Sequence, residues 1–168
     1  ESWESEAGIE ILAGEARRRG MRVMLKPHVW RLQGRTGIPA SEAREWLRHY
    51  RPFVEHYARF AAAIHADTFC IGTELRGLTG YEREWREMIA AVRAIYKGPL
   101  VYAANHGEEF ETIRFWDALD YIGVDNYYPL DDKYSAAALV AKIEAVQQRF
   151  AKPVLFTEAG YGAHAQSH

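Results

Sequence analysis

Two stretches of this chain run apolar and then end on a glutamate: Thr68-Phe69-Cys70-Ile71-Gly72-Thr73-Glu74 and Val154-Leu155-Phe156-Thr157-Glu158. Each has the form of a buried strand that delivers a carboxylate where the backbone leaves a sheet. One strand-end Glu has an ordinary alternative, since it can cap a helix or pair with an Arg. Two in matching positions point to a shared cleft, and a pair of carboxylates is the minimum equipment for cleaving a glycosidic bond. A retaining reaction needs one carboxylate ionised, to attack the anomeric carbon, and one protonated, to donate to the leaving oxygen, at a separation of about 5–5.5 Å. Their surroundings must then drive the two proton affinities apart.

Other polar residues gather at the ends of further apolar runs. Lys26, His28 and Trp30 follow the first of them, Asn105 and His106 another, and Asp125, Asn126, Tyr127 and Tyr128 a third. Lys26 and His28 could bind sugar hydroxyls, or make structural hydrogen bonds to Glu or Asp on neighbouring strands. Asn105 and His106 carry the same two readings, whereas Asp125 reads as structural. Trp30 and Trp116 could stack on a sugar face, although Trp116, beside Phe115 and Leu119, fits packing better. Trp46 and Trp85 lie on apolar helix faces and belong to a core. The seven His are scattered without ligand spacing, so neither a metal nor any other cofactor is expected.

The elements that must position these residues alternate. A helix is expected over about residues 4–19, ended by Gly20, and a strand over 21–27. A loop at 31–39 leads to a long helix with Ser41 as N-cap, Glu42 and Glu45 in its first turn, and Pro52 as a kink or restart. The strand 68–74 is followed by a helix opened by a Thr79-x-x-Glu82 capping box. Then come a strand at 100–103, a helix over about 108–118, a strand at 121–124, a helix capped by Ser135, and the strand bearing Glu158. Continuous apolar strands between amphipathic helices mean a parallel sheet covered by helices. Functional residues at the C-terminal ends of such strands fit a (β/α)8 barrel or an open doubly wound sheet. No Gly-rich phosphate loop follows any strand, which favours the barrel. A whole barrel takes about 250 residues, so five strands in 168 residues read as a single partial barrel domain over 1–168.

With 48% hydrophobic and 26% charged residues and a formal net charge of −2, the composition is that of an ordinary soluble globular chain. It offers no reason to expect nucleic acid or an anionic membrane as a partner. No apolar run approaches the roughly 20 residues of a membrane span. The lone Cys70, inside a strand, excludes a disulfide framework and reads as a buried, inert thiol. The opening Glu1-Ser2-Trp3-Glu4 is no signal peptide, so any leader would lie upstream, and both a cytoplasmic and a secreted location stay open. Exposed sheet edges would favour self-association or a covering partner chain.

Five blocks, in order, carry a family likeness: Lys26-Pro27-His28-Val29-Trp30; Phe69-Cys70-Ile71-Gly72-Thr73-Glu74-Leu75; Phe115-Trp116-Asp117 with Leu119-Asp120-Tyr121-Ile122-Gly123; Tyr127-Tyr128-Pro129-Leu130; and Lys152 through Tyr161. They resemble glycoside hydrolase family 113, retaining endo-β-1,4-mannanases of clan A. The resemblance implies that the five strands correspond to barrel strands three to seven, with Glu74 as acid/base, Glu158 as nucleophile and an oligo- or polysaccharide as substrate. The chemistry of those roles in turn requires that Glu158 be held ionised by hydrogen-bond donors, with Tyr127 or Tyr128 as the phenol, and that Glu74 sit in a less polar pocket near that negative charge. One position departs from the wider clan: Thr73 precedes the acid/base, where Asn usually contacts the sugar 2-hydroxyl. A clan A β-glucanase and a non-catalytic carbohydrate-binding or assembly fragment are the alternative readings.

Overall fold

The computed structural model describes residues 5–29, 38–130 and 135–160. Five parallel strands, β1 (Met24–Leu25), β2 (Thr68–Thr73), β3 (Leu100–Asn105), β4 (Tyr121–Asn126) and β5 (Val154–Ala159), pair in strict sequence order. Helices α1 (Glu6–Arg18), α2 (Ala43–Ala63), α3 (Glu82–Ile95), α4 (Glu108–Thr112) and α5 (Ala137–Phe150) alternate with them. This is the partial barrel expected, a curled half-barrel. Its curl has a direct signature. Five strands laid flat would hold β1 and β5 about 19 Å apart, at about 4.8 Å per neighbour. Yet Lys26, just after β1, hydrogen-bonds Glu158 on β5, which only an arc of strands allows.

The two faces of the arc pack differently. On the helix side Phe69, Ile71, Leu100, Tyr102, Ile122 and Val124 join the main core. On the concave side Cys70, Val101 and Ala103 form a small separate cluster against Met24, Tyr121 and Leu155. The buried Cys70 thiol lies there as expected. Trp85 anchors the larger core. It stacks on Phe115 at 5.3 Å, meets Tyr102 edge-on at 5.1 Å, and donates its indole N–H to the Leu78 carbonyl at 3.0 Å. Trp116 is buried too, with its N–H on Phe110 O, so packing is its role.

Several local expectations change. The strand expected over 21–27 shortens to Met24–Leu25, the two residues that pair with Thr68 and Phe69 of β2. α2 starts at Ala43 with Glu42 at the N-cap and no side-chain cap; a turn closed by Glu42 N–H on Pro39 O leads in and replaces Ser41. That helix runs through Pro52 unbroken. The Thr79 capping box does not form, since the Thr79 hydroxyl donates to Arg76 O and closes a 3-10 turn over Arg76–Leu78. Ser135 Oγ does accept from Ala137 N–H, though Ala136 stands at the N-cap of α5. The helix expected over 108–118 divides into α4 and a 3-10 turn at Trp116–Ala118. Extended backbone at Ile113 lets Phe115 and Trp116 both turn into the core.

Truncating the central ring tests the main core. Trp85→Ala is expected to cost about 3–5 kcal/mol, read as a lower midpoint in urea unfolding. A midpoint within error of the parent would mean that the helices dock without this ring.

Candidate functional site

All five strands point their C-terminal ends the same way, and the polar strand-end residues converge there. Glu158 is the penultimate residue of β5, Glu74 lies one residue beyond β2, Asn105 at the end of β3 and Asp125 near the end of β4. Both glutamate-bearing strands slip register just before the carboxylate. Between the pairs Cys70↔Val101 and Thr73↔Ala103, β2 carries one extra residue. Between Val124↔Phe156 and Asp125↔Glu158, β5 does the same. A bulge of this kind re-aims the side chains that follow it. Glu74 also stands at φ +50°, in the left-handed region. That conformation is costly for a residue with a Cβ, and it persists only where neighbours over-determine it. Here Glu74 N–H donates to Ala103 O at 2.9 Å and Leu75 N–H to the Tyr102 hydroxyl at 2.8 Å.

Glu158 is surrounded by donors. Lys26 Nζ bonds its Oε1, and the Tyr127 hydroxyl donates to Oε2 at 2.9 Å. Burial works against its charge, but the Lys26 and Tyr127 hydrogen bonds, with the Lys26 and His28 charges, outweigh it and hold the carboxyl below the usual range. The same ammonium reaches both oxygens of Asp125, at 3.0 and 3.1 Å. Asp125 is fully buried and also accepts from the Thr157 hydroxyl at 2.6 Å. Burial would strip the proton from Lys26; its bonds to Glu158 and Asp125 prevail and keep it above its ordinary value.

Glu74 has the opposite surroundings. Burial pushes its carboxyl above the ordinary value, and the negative charges of Asp125 and Glu158 add to that. The Lys26 charge and a hydrogen bond from the Asn105 side chain only partly offset it. Two carboxyls that sense each other's charge, one held ionised and one favouring its proton, can serve as a nucleophile and a proton donor.

The phenol on Glu158 is Tyr127. Its ring lies against Gly160, where an added Cβ would fall 2.6 Å from Tyr127 Cε1. Tyr127 remains 45% exposed, open to a ligand. Tyr128 is not brought to the pair: it is 6% exposed, accepts from Gly107 N–H at 2.7 Å and donates to Glu111 at 3.2 Å. Lys26 takes the bridging position between Asp125 and Glu158, Asn105 holds Glu74, and His28 sits exposed with its charge felt by Glu158. His106 lies beside both tyrosine rings, with its buried Nδ1 unpartnered among the described residues. Trp30 lies outside the described residues. Sequence reasoning missed Glu109, which is 2% exposed and accepts from the Tyr102 hydroxyl and the Asn105 N–H. It stands in a run of glutamates, Glu108-Glu109-Phe110-Glu111, with no signal to tell it from solvated charge.

Among the described residues no three His, Cys, Asp or Glu are grouped to hold a metal ion, and no helix is long and apolar enough to cross a membrane. A groove of about 800 Å³ between Arg44, Tyr81, Glu84 and Arg86 lies on the helical side and contains neither site glutamate.

Comparison with known proteins gives a consistent result. The family model described as Glycoside Hydrolase Family 113 matches residues 2–168. Among solved structures, the GH113 β-mannanase AaManA from Alicyclobacillus acidocaldarius is 32% identical with a TM-score of 0.83, over 97% of this chain and 54% of that one. A second GH113 β-1,4-mannanase is 31% identical with a TM-score of 0.81, over 97% and 55%. The chain therefore spans about half the length of these relatives. A β-glucuronidase from Ruminococcus gnavus, 19% identical with a TM-score of 0.71, covers 95% of this chain and 29% of its own and shares the fold. The search of curated proteins found no match.

Removing the bridging ammonium tests the electrostatics. Lys26→Met leaves Asp125 buried and unpaired, and is expected to destabilise the fold by about 3–5 kcal/mol. Adding Asp125→Asn should recover part of that loss in thermal unfolding. Equal melting temperatures for Lys26→Met and the parent would show that Asp125 is not held by this charge.

Proposed function

Because the chain belongs to glycoside hydrolase family 113, we propose that it carries the catalytic pair of a retaining glycoside hydrolase that cleaves β-1,4-linked mannan by double displacement. The observation that carries this reading is the opposed treatment of two strand-end glutamates in one site, Glu158 held by Lys26 and Tyr127 and Glu74 half-buried within range of its charge. Glu158 attacks the anomeric carbon, and Glu74 gives its proton to the departing glycosidic oxygen. That leaves a glycosyl ester on Glu158. The ester is neutral, so the negative charge that favoured the Glu74 proton is gone. Glu74, now ionised, takes a proton from water as the water attacks the anomeric carbon. Glu158 leaves as a carboxylate, and the site returns to its starting charge. Mannan as the substrate is supported by the β-mannanases that share this chain's family and architecture.

Reducing-end release from β-1,4-mannan, followed by the configuration of the first product, tests the proposal. We expect Glu158→Ala to abolish release and Glu74→Gln to lower kcat by about 10²–10⁴-fold, with the new reducing end appearing first as the β anomer. The α anomer first would refute double displacement, and binding without release would identify a carbohydrate-binding fragment.

The proton affinities also fix a pH window. Glu158, below its usual range, must be ionised, so activity falls as pH drops through its pKa. Glu74, above its usual range, must be protonated, so activity falls again as pH rises through its pKa. The kcat/KM profile should therefore be a bell whose alkaline limb disappears in Glu74→Gln when measured on a substrate with an activated leaving group. An alkaline limb unchanged in that variant would assign it to another residue.

A further inference from the structure

The left-handed turn at Glu74 is braced from beneath by a chain of buried hydrogen bonds that leads to one carboxylate. Leu75 N–H donates to the Tyr102 hydroxyl at 2.8 Å, and that hydroxyl donates onward to Glu109 Oε1 at 2.6 Å. The other Glu109 oxygen accepts from Asn105 N–H at 2.7 Å, and the Asn105 side chain hydrogen-bonds Glu74 itself. We propose that Glu109 is a positioning residue for Glu74, fixing its carboxyl through Tyr102–Leu75 on the backbone side and through Asn105 on the side-chain side. The inference rests on the reading of Glu74 as the proton donor.

Several observations support it. Both oxygens of Glu109 are used as acceptors: one bond ends on Asn105, whose side chain bonds Glu74, and the other leads through Tyr102 to Leu75, which directly follows Glu74. The Tyr102 hydroxyl, fully buried, accepts from one side of the chain and donates to the other, so neither bond can be lost without leaving a buried polar group unpaired. Burial raises Glu109 to about 7. A carboxyl at such a position destabilises the fold when ionised, yet only the ionised form accepts two donors without a proton of its own to place. A Gln there offers one acceptor oxygen for two donors. An apolar residue of similar volume would pack without that penalty, but it would release both ends of the brace. The hydrogen bonds of Glu109 reach Glu74 through Tyr102 and Asn105.

Proton donation matters in proportion to how poor the leaving group is, and this separates positioning from general damage to the fold. In the intact protein, Glu109→Gln and Tyr102→Phe are each expected to lower kcat/KM on β-1,4-mannan by about 10²-fold, the scale of a small misplacement of a reacting group. Their kcat/KM on an aryl β-mannoside with a dinitrophenolate leaving group, which reports the first step alone and needs no proton from Glu74, should stay at the parent value. Folding is checked by thermal melting and far-ultraviolet circular dichroism. If Glu109→Gln does not fold, Tyr102→Phe, which keeps the ring and its volume, decides. Equal losses on both substrates, no loss on mannan, or failure of both variants to fold would overturn the inference. Glu74→Gln run alongside must show the same split between substrates. If it does not, the assignment of Glu74 as donor fails first and takes this inference with it, whereas a split in Glu74→Gln alone removes only Glu109.

Discussion

One partly buried ammonium ties the site to the sheet. Lys26 follows the first strand of the arc, and its partners Asp125 and Glu158 stand on the fourth and fifth. Three charges of net −1 are gathered at the C-terminal end of the arc, where Asp125 is fully buried and would be costly alone. Together they satisfy one another. Asp125, with no solvent contact, needs the cation; Lys26 needs two anions to remain protonated under burial; and Glu158 keeps its charge because the same cation is there. The contact therefore acts at two levels, since it holds the ends of the arc together and sets the proton affinity of one glutamate. Neither role works without the curl of the sheet.

That coupling also separates the two glutamates, which the strands present in nearly identical ways. Both follow an apolar run and a register slip, at the same end of a parallel sheet. The difference lies in what surrounds them. Glu158 receives an ammonium and a phenol, whereas Glu74 receives one amide and stands in the repulsive field of Glu158 and Asp125. Lys26 lowers the proton affinity of both, but it touches only Glu158. Burial and the neighbouring charges at Glu74, against the hydrogen bonds of Lys26 and Tyr127 at Glu158, thus shift the proton affinities of two chemically equivalent side chains in opposite directions.

Much of this was legible in the order of residues. The strand-end positions of Glu74 and Glu158, the parallel sheet and the partial barrel follow from apolar runs of period appropriate to buried strands, punctuated by Gly and Pro. Helix starts were less legible. At Ser41 and Thr79 the expected caps were replaced by turns whose backbone carbonyls, on Pro39 and Arg76, accept the hydrogen bonds. Such substitutions depend on how the loop is docked, which no local pattern records. The choice between Tyr127 and Tyr128 was equally closed to sequence, because adjacent residues point to opposite sides and either could have faced Glu158. It is settled by Gly160, whose missing side chain makes room for the Tyr127 ring. Glu109 was invisible for a different reason: burial of a charge can be seen only when the partners, Tyr102 and Asn105, are seen to converge on it.

The placement of strain follows the same logic. Only one of the two glutamates has an unfavourable backbone, and it is the one with fewer partners for its side chain. Glu158, inside β5 and pinned by Lys26 and Tyr127, needs no special conformation. Glu74 lies past the end of β2, at φ +50°, and its orientation comes from the main chain. In the proposed reaction Glu74 gains and loses a proton, and strong donors on its carboxyl would hold it ionised. Fixing it through its backbone leaves its carboxyl free of them. The hydrogen bonds that would otherwise fall on the carboxyl fall on Leu75 N–H and Asn105 N–H instead, so the geometry is held without fixing the charge.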